Sequence, residues 1–324
     1  MFLIHNSPEE APMLASALVA LARTEAGWYS PAQPELLKTL FANLLEIDID
    51  FSSHPPISQE EVQRKLVDPL QRKELIELMV ALEMLCSPIP TELELKVESW
   101  AKSLDIHSDL LILSRELATK AIDNATADFY RLNWIGETED QESSEFKKKL
   151  AKYGTSAYGL CMEEDPVELK RWSSLSSCRD ESLGKALYDF YQERGFKLPG
   201  TIGSGNASLA HHDWIHVIAG YDTTPIGELE VTAFMATSSH SKGVMLGFIG
   251  AISILETGLL HSLFGADKFA KTLSKGDGIS RVVNAIQRGR SAKVDPLLGV
   301  DYFAIADQPL DQIRESWGLL NQRL

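Results

Sequence analysis

Leu75-Ile76-Glu77-Leu78-Met79-Val80-Ala81-Leu82 sets Leu75, Leu78, Met79 and Leu82 at i, i+3, i+4 and i+7, the spacing of one buried helical face. The same pattern recurs upstream at Leu14, Leu18 and Leu21, and again at Leu37, Leu40, Phe41 and Leu44. Ser58 with Glu61 has capping-box spacing ahead of a further helical stretch. No segment alternates apolar and polar residues for long enough to argue a sheet, so the expected class is all-α.

An offset of 57 residues superposes Leu18, Leu21, Ser30-Pro31, Glu35 and Leu36 on Leu75, Leu78, Ser87-Pro88, Glu92 and Leu93. Each copy reads as a helix, a Ser-Pro turn and a second helix with a Glu in its first turn, where it complements the helix dipole. Further on, Gly136-Glu137-Thr138-Glu139-Asp140-Gln141-Glu142-Ser143-Ser144-Glu145 followed by Lys147-Lys148-Lys149 reads as an exposed linker, so the boundary between two helical domains is placed at 136–149. Beyond it, helices are expected over Ser182–Gly195, Leu209–Ala219, Pro225–Thr237, Gly243–Phe264 and Leu310–Leu320.

The chain has 324 residues, 44% of them hydrophobic and 24% charged, which supports a sizeable core. Its formal charge of −15 sets it against phosphate backbones, so no nucleic-acid partner is expected. Three unpaired-looking cysteines, Cys86, Cys161 and Cys178, fit a reducing, cytoplasmic setting, and the first residues lack a signal-peptide pattern. The longest uncharged apolar run, Gly243 to Leu255, is thirteen residues, too short to span a bilayer. It reads as a buried core helix or as the wall of an apolar groove in which Gly and Met make room for a hydrocarbon tail.

Five of the eight histidines, His211, His212, His216, His240 and His261, cluster in the second half. Within His211-His212-Asp213-Trp214-Ile215-His216, His212 and His216 are i and i+4 on one helix face, with Asp213 beside them. Gly220 then breaks the helix, and Thr224-Pro225 opens the next with Glu228 in its first turn. His212, Asp213, His216 and Glu228 are therefore the expected metal ligands, two nitrogens and two oxygens. A hydrogen-bonded helix face is the competing reading. A zinc-protease signature is disfavoured, because Asp213 is one methylene shorter than its Glu. Arg288-Gly289-Arg290 reads as a solvated helix end, and His240 and His261 as structural residues; no catalytic residue is assigned.

Two resemblances organise these observations. Pro8 to Asp123 resembles the TerB-like family of small helical domains, through Ala22-Arg23-Thr24-Glu25-Ala26-Gly27 before Ser30-Pro31 and through Ser99-Trp100-Ala101-Lys102-Ser103-Leu104-Asp105-Ile106. That family usually has an Asp-Gly pair in the turn, which Glu25-Ala26-Gly27 lacks, and no site is carried over from it. Residues 150–324 resemble the coenzyme Q biosynthesis protein 4 family, whose hallmark is H-D-x-x-H, eleven residues, then E. Here that is His212-Asp213-Trp214-Ile215-His216, Val217 to Gly227, then Glu228. Leu183-Gly184 with Tyr188-Asp189-Phe190, and Leu310-Asp311-Gln312-Ile313-Arg314-Glu315-Ser316-Trp317-Gly318, match its early and closing helices. The resulting expectation is a TerB-like domain at 1–135, the linker, and a metal- and lipid-binding domain at 150–324.

The resemblance implies a bound divalent metal, usually zinc, with iron or manganese as alternatives that the ligand set also suits. It implies an apolar cleft for a prenylated quinone precursor or other isoprenoid lipid. It further implies a role in ubiquinone-type quinone biosynthesis, alongside other enzymes of that pathway and in peripheral contact with the inner face of the membrane. Two functions are consistent with it: oxidative decarboxylation of a prenylated hydroxybenzoate-type precursor, or a non-catalytic scaffold that presents such a lipid.

Overall fold

In the computed structural model, which describes residues 3–263 and 271–319, helices account for nearly all regular structure. The first half holds α1 (Ala11–Ala22), α2 (Ala32–Leu44), α3 (Gln59–Lys65), α4 (Pro69–Glu83), α5 (Thr91–Ser103), α6 (Asp109–Ala118), α7 (Ile122–Leu132) and the single turn α8 (Trp134–Glu137). Then follow α9 (Ser144–Tyr153), α10 (Ser156–Gly159), α11 (Pro166–Ser173), α12 (Leu183–Arg194), α13 (Ala207–Ala219), α14 (Pro225–Ser238), α15 (Val244–Ile252), α16 (Gly278–Ser291), α17 (Tyr302–Ile305) and α18 (Leu310–Ser316). The fold is all-α apart from one antiparallel pair of two-residue strands, β1 (Arg23–Thr24) and β2 (Gly27–Trp28), where Gly27 takes a φ of +116°.

Side-chain caps and glycines set several helix ends. Ser58 accepts from the Glu61 amide to start α3, and Ser182 from the Lys185 amide to start α12. Gly195 closes α12 in the left-handed conformation. The expected helix over Gly243–Phe264 is shorter in the structure. Its α-helical geometry ends at Ile252, a π turn occupies Ser253–Thr257, and Gly258 at φ +65° terminates it; Phe264 lies outside the described residues. Hydropathy continues past Ile252, but the left-handed glycine stops the backbone. The closing helix likewise ends at Ser316 rather than Leu320, which is also outside the described residues.

In the first half α4 packs on α1, α5 and α6. Glu83 at the end of α4 is wholly buried and accepts a hydrogen bond from the Ser114 hydroxyl of α6; burial pushes its carboxyl up to about 8. In the second half α14 is central, with residues Leu229 to Thr237 all buried between α13, α15 and α16. Gly289 lets α16 approach α14 closely, since a Cβ there would lie 2.4 Å from the Phe234 carbonyl oxygen. Buried Glu230 is met by Arg281, whose Nε is 3.0 Å and Nη2 2.5 Å from the two carboxylate oxygens.

The two halves share one buried hydrophobic cluster. α15 runs against α4, α6 and α7, and α16 against α2. The small residues of α15 account for its docking: a Cβ on Gly250 would stand 2.0 Å from the Phe129 ring, and one on Gly247 2.2 Å from the Trp134 ring. The glycine face of this helix is thus filled by first-half aromatics. The acidic 136–149 segment is tied down as well. Glu139 accepts from Ser208 at 3.1 Å, and Gln141 Nε2 donates to the Gly136 carbonyl at 2.8 Å. Among the described residues no helix is long and apolar enough to cross a membrane.

Arg281→Ala would leave the Glu230 carboxyl without its partner in the core. It should cost about 3 kcal/mol of unfolding free energy, read from urea midpoints. The double replacement of Glu230 and Arg281 by Leu should lose far less, because it buries no lone charge.

Candidate metal centre

α13 is capped by Asn206 and carries His212 and His216 one turn apart, their ring centroids 5.1 Å from each other. The helix stops at Gly220, in the left-handed conformation at φ +80°. Asp222 then accepts from the Thr224 amide at 2.8 Å, and the Thr224 hydroxyl caps α14 through the Gly227 amide. This turn folds the chain back so that Glu228 faces the two imidazoles. Its closeness demands glycine at position 227, where a Cβ would stand 2.1 Å from the Asp222 carbonyl oxygen.

Glu228 Oε1 lies 3.4 Å from His216 Nε2, and Oε2 lies 3.6 Å from His212 Nε2. These separations are longer than strong charge-assisted hydrogen bonds. They are close to the about 3.3–3.4 Å edge of a tetrahedron with metal–ligand bonds of about 2.0–2.1 Å. Each imidazole is also fixed in tautomer. His212 Nδ1 is 2.5 Å from the Leu209 carbonyl and His216 Nδ1 is 3.3 Å from that of Tyr221. A carbonyl can only accept, so each Nδ1 carries a proton, and each Nε2 is the ring atom left to meet a cation, in exchange for any proton it holds. His216 is completely buried and its Nε2 has no hydrogen-bond partner. These features fit a divalent cation, and the three side chains each present a ligand atom within 4.8 Å of the others.

Asp213 sits at the edge of this trio. One oxygen lies 3.5 Å from His212 Nε2, and the other accepts from the Tyr191 hydroxyl of α12. Of the four residues expected as ligands, the structure brings His212, His216 and Glu228 into one cluster and holds Asp213 beside it. The other clustered histidines point elsewhere. His211 reaches the Pro296 carbonyl, His240 pairs with Asp295, and His261 is exposed.

Several residues at the site escaped the sequence reading. Tyr191, one position past the Tyr188-Asp189-Phe190 match, is buried, and burial reinforced by Asp213 raises its hydroxyl well above the ordinary tyrosine range. Phe190 packs on His216 at 5.9 Å between centroids, and Trp134 of α8 on His212 at 6.4 Å. Arg288 is no solvated helix end. It is buried and donates through Nη2 to the Ala219 carbonyl at 2.7 Å, while Arg314 donates to the carbonyls of Ile218 and Val217. The two arginines satisfy carbonyls at the C-terminal end of α13 that the helix leaves open.

Burial opposes charge on His212, but Asp213 and Glu228 outweigh it and push the imidazole up to about 9. Burial would likewise raise Glu228, yet His216 and His212 hold its carboxyl far below the usual carboxylate range. The Glu228 side chain, 33% exposed against 14% for His212 and 0% for His216, is the opening of the cluster to solvent.

No family model matches the chain, and no curated protein matches it. Among solved structures, the crystal structure of a "putative ubiquinone biosynthesis protein" from Nostoc punctiforme PCC 73102 is 20% identical, with a TM-score of 0.34. The match covers 65% of this chain and 97% of that one.

The raised His212 fixes the sign of a pH effect. In metal-free protein its stabilisation is fully present below the unfolded value of about 6.5 and is lost as pH rises through about 9. Chelator-treated wild type should therefore melt above His212→Gln at pH 6, with the gap closing by pH 9.5. Zinc affinity should run the other way and rise with pH, because the cation must displace the His212 proton.

Proposed function

We propose that the chain is a metal-binding protein of ubiquinone-type quinone biosynthesis, acting on a prenylated aromatic precursor. The observation that carries the metal is the pair of imidazoles whose Nδ1 protons are committed to backbone carbonyls, with Glu228 spaced from both Nε2 atoms as a shared cation requires. His212, His216 and Glu228 are the proposed ligands. Asp213, held by Tyr191, completes the set or accepts from a group bound there. Zinc is the proposed metal, with iron or manganese admitted by the same donors.

The pathway rests on the sequence resemblance of residues 150–324 to the coenzyme Q biosynthesis protein 4 family. In this reading a ring carboxylate approaches from the Glu228 side, the partly exposed edge of the cluster. A bound cation supplies Lewis-acid polarisation to an oxygen of that ligand. Phe190 and Trp134 restrict water around the imidazoles, and the Tyr191–Asp213 pair fixes the orientation of the second carboxylate. The proposed reaction is oxidative decarboxylation, in which the ring carboxylate leaves as carbon dioxide, water supplies the hydroxyl that takes its place, and dioxygen accepts the two electrons and two protons to become hydrogen peroxide. A prenyl tail would be drawn from a membrane by peripheral contact; the glycine face of α15 does not hold it, being already filled by Phe129 and Trp134. A second reading, a lipid-presenting scaffold without turnover, has its own support. The ionisable groups that face the imidazoles are the ligands themselves and Asp213, whose outer oxygen is already taken by Tyr191.

Protein purified without chelators should carry about one metal per chain and release an isoprenoid lipid into organic solvent. His216→Ala should lower metal content at least tenfold while the helical circular dichroism persists. Substoichiometric metal in the wild type, unchanged by His216→Ala, would sink the assignment. With metal and oxygen supplied, turnover of a prenylated 4-hydroxybenzoate that disappears in His212→Ala decides for the enzyme; binding without turnover decides for the scaffold.

A further inference from the structure

Trp134 belongs to the first half, 78 positions before His212, yet its indole stands beside that imidazole, tilted by 55° to it. Its placement is rigid. Asn133, itself fully buried, caps α8 by accepting from the amides of Ile135 and Gly136. The Cζ3–Cε3 edge of the ring rests on Gly247, at 2.2 and 2.4 Å from the point where a Cβ would stand. The indole nitrogen lies across the ring from that edge. Trp134 is 7% exposed, and this nitrogen is buried without a hydrogen-bond partner. Buried donors are nearly always paired, so an unpaired one beside a ligand site marks the place of a ligand acceptor.

We propose that Trp134 is a ligand-binding residue of the His212–His216–Glu228 centre, its indole N–H donating to one oxygen of a carboxylate whose other oxygen faces the cation. The inference rests on the metal reading and the carboxylate ligand above and adds to them a residue from outside the matching half. A cation held by two neutral imidazoles and one carboxylate keeps a positive charge and an open position, which suits an anionic oxygen. A carboxylate can span the cation and a neighbouring donor at once, and the aromatic ring beside it favours an aromatic acid over a small hydrated one.

The test uses full-length protein loaded with cobalt(II), whose visible spectrum reports ligand exchange, titrated with benzoate. Wild type should bind one cobalt and show a saturable spectral change. Trp134→Phe should bind cobalt as tightly, with the same spectrum before benzoate is added, and bind benzoate about tenfold more weakly, the size of one hydrogen bond to a charged acceptor. Gly247→Ala keeps the indole but displaces it, and should weaken benzoate comparably; it carries the test should Trp134→Phe fail to fold. Equal benzoate affinity in wild type and the folded variants, or no spectral response in cobalt-loaded wild type, overturns the inference alone. Absence of cobalt binding in the wild type overturns the metal reading and the inference with it.

Discussion

A side chain at position 227 would collide with the carbonyl of Asp222, and the candidate centre exists because there is none. The five-residue turn from Gly220 to Thr224 is folded so tightly that the first turn of α14 lies against the face of α13. A longer or looser connection would leave Glu228 free to turn to water, and two neighbouring imidazoles would have no carboxylate to balance a cation. The end of α13 is reinforced from elsewhere in the chain, since Arg288 and Arg314 each reach its last carbonyls. The buried ion pair of Glu230 with Arg281 holds α14 to α16 two residues past Glu228. Site geometry is therefore a property of three helices and a closing segment together.

The same logic extends across the middle of the chain. Gly247 and Gly250 of α15 leave hollows that Trp134 and Phe129 fill, so the first half reaches the surroundings of His212 through packing rather than through a flexible tether. Glu139 and Gln141 in the acidic segment make hydrogen bonds that order it. Charge-rich composition describes how a segment meets water, and it is silent on which of its carboxylates find a donor.

Local signals were the legible ones. The i, i+4 histidines, the Thr-Pro helix start and the Ser58 cap each involve residues within a few positions, where backbone geometry alone fixes what can meet. Tyr191, Trp134 and Arg288 were opaque because each reaches the site through packing of distant elements. A tyrosine among tyrosines, a tryptophan at a helix start and an arginine near a helix end have no spacing that marks them. The end of α15 departs from the hydropathy pattern for a related reason: apolar residues persist past Ile252, while the backbone changes to a π turn and stops at Gly258.

Glu83 offers a different lesson about the charge of this molecule. Its carboxyl, buried between α4 and α6 with the Ser114 hydroxyl as donor, holds its proton until about pH 8. At neutrality this carboxyl therefore supplies none of the negative charge that the count of −15 assigns to it. The proton is in effect a small structural component of the first half. Between the unfolded carboxyl value of about 4.3 and about 8, each step toward alkali withdraws a little stability from that helix junction. Most native carboxylates make a fold sensitive to acid; this one makes it sensitive to base.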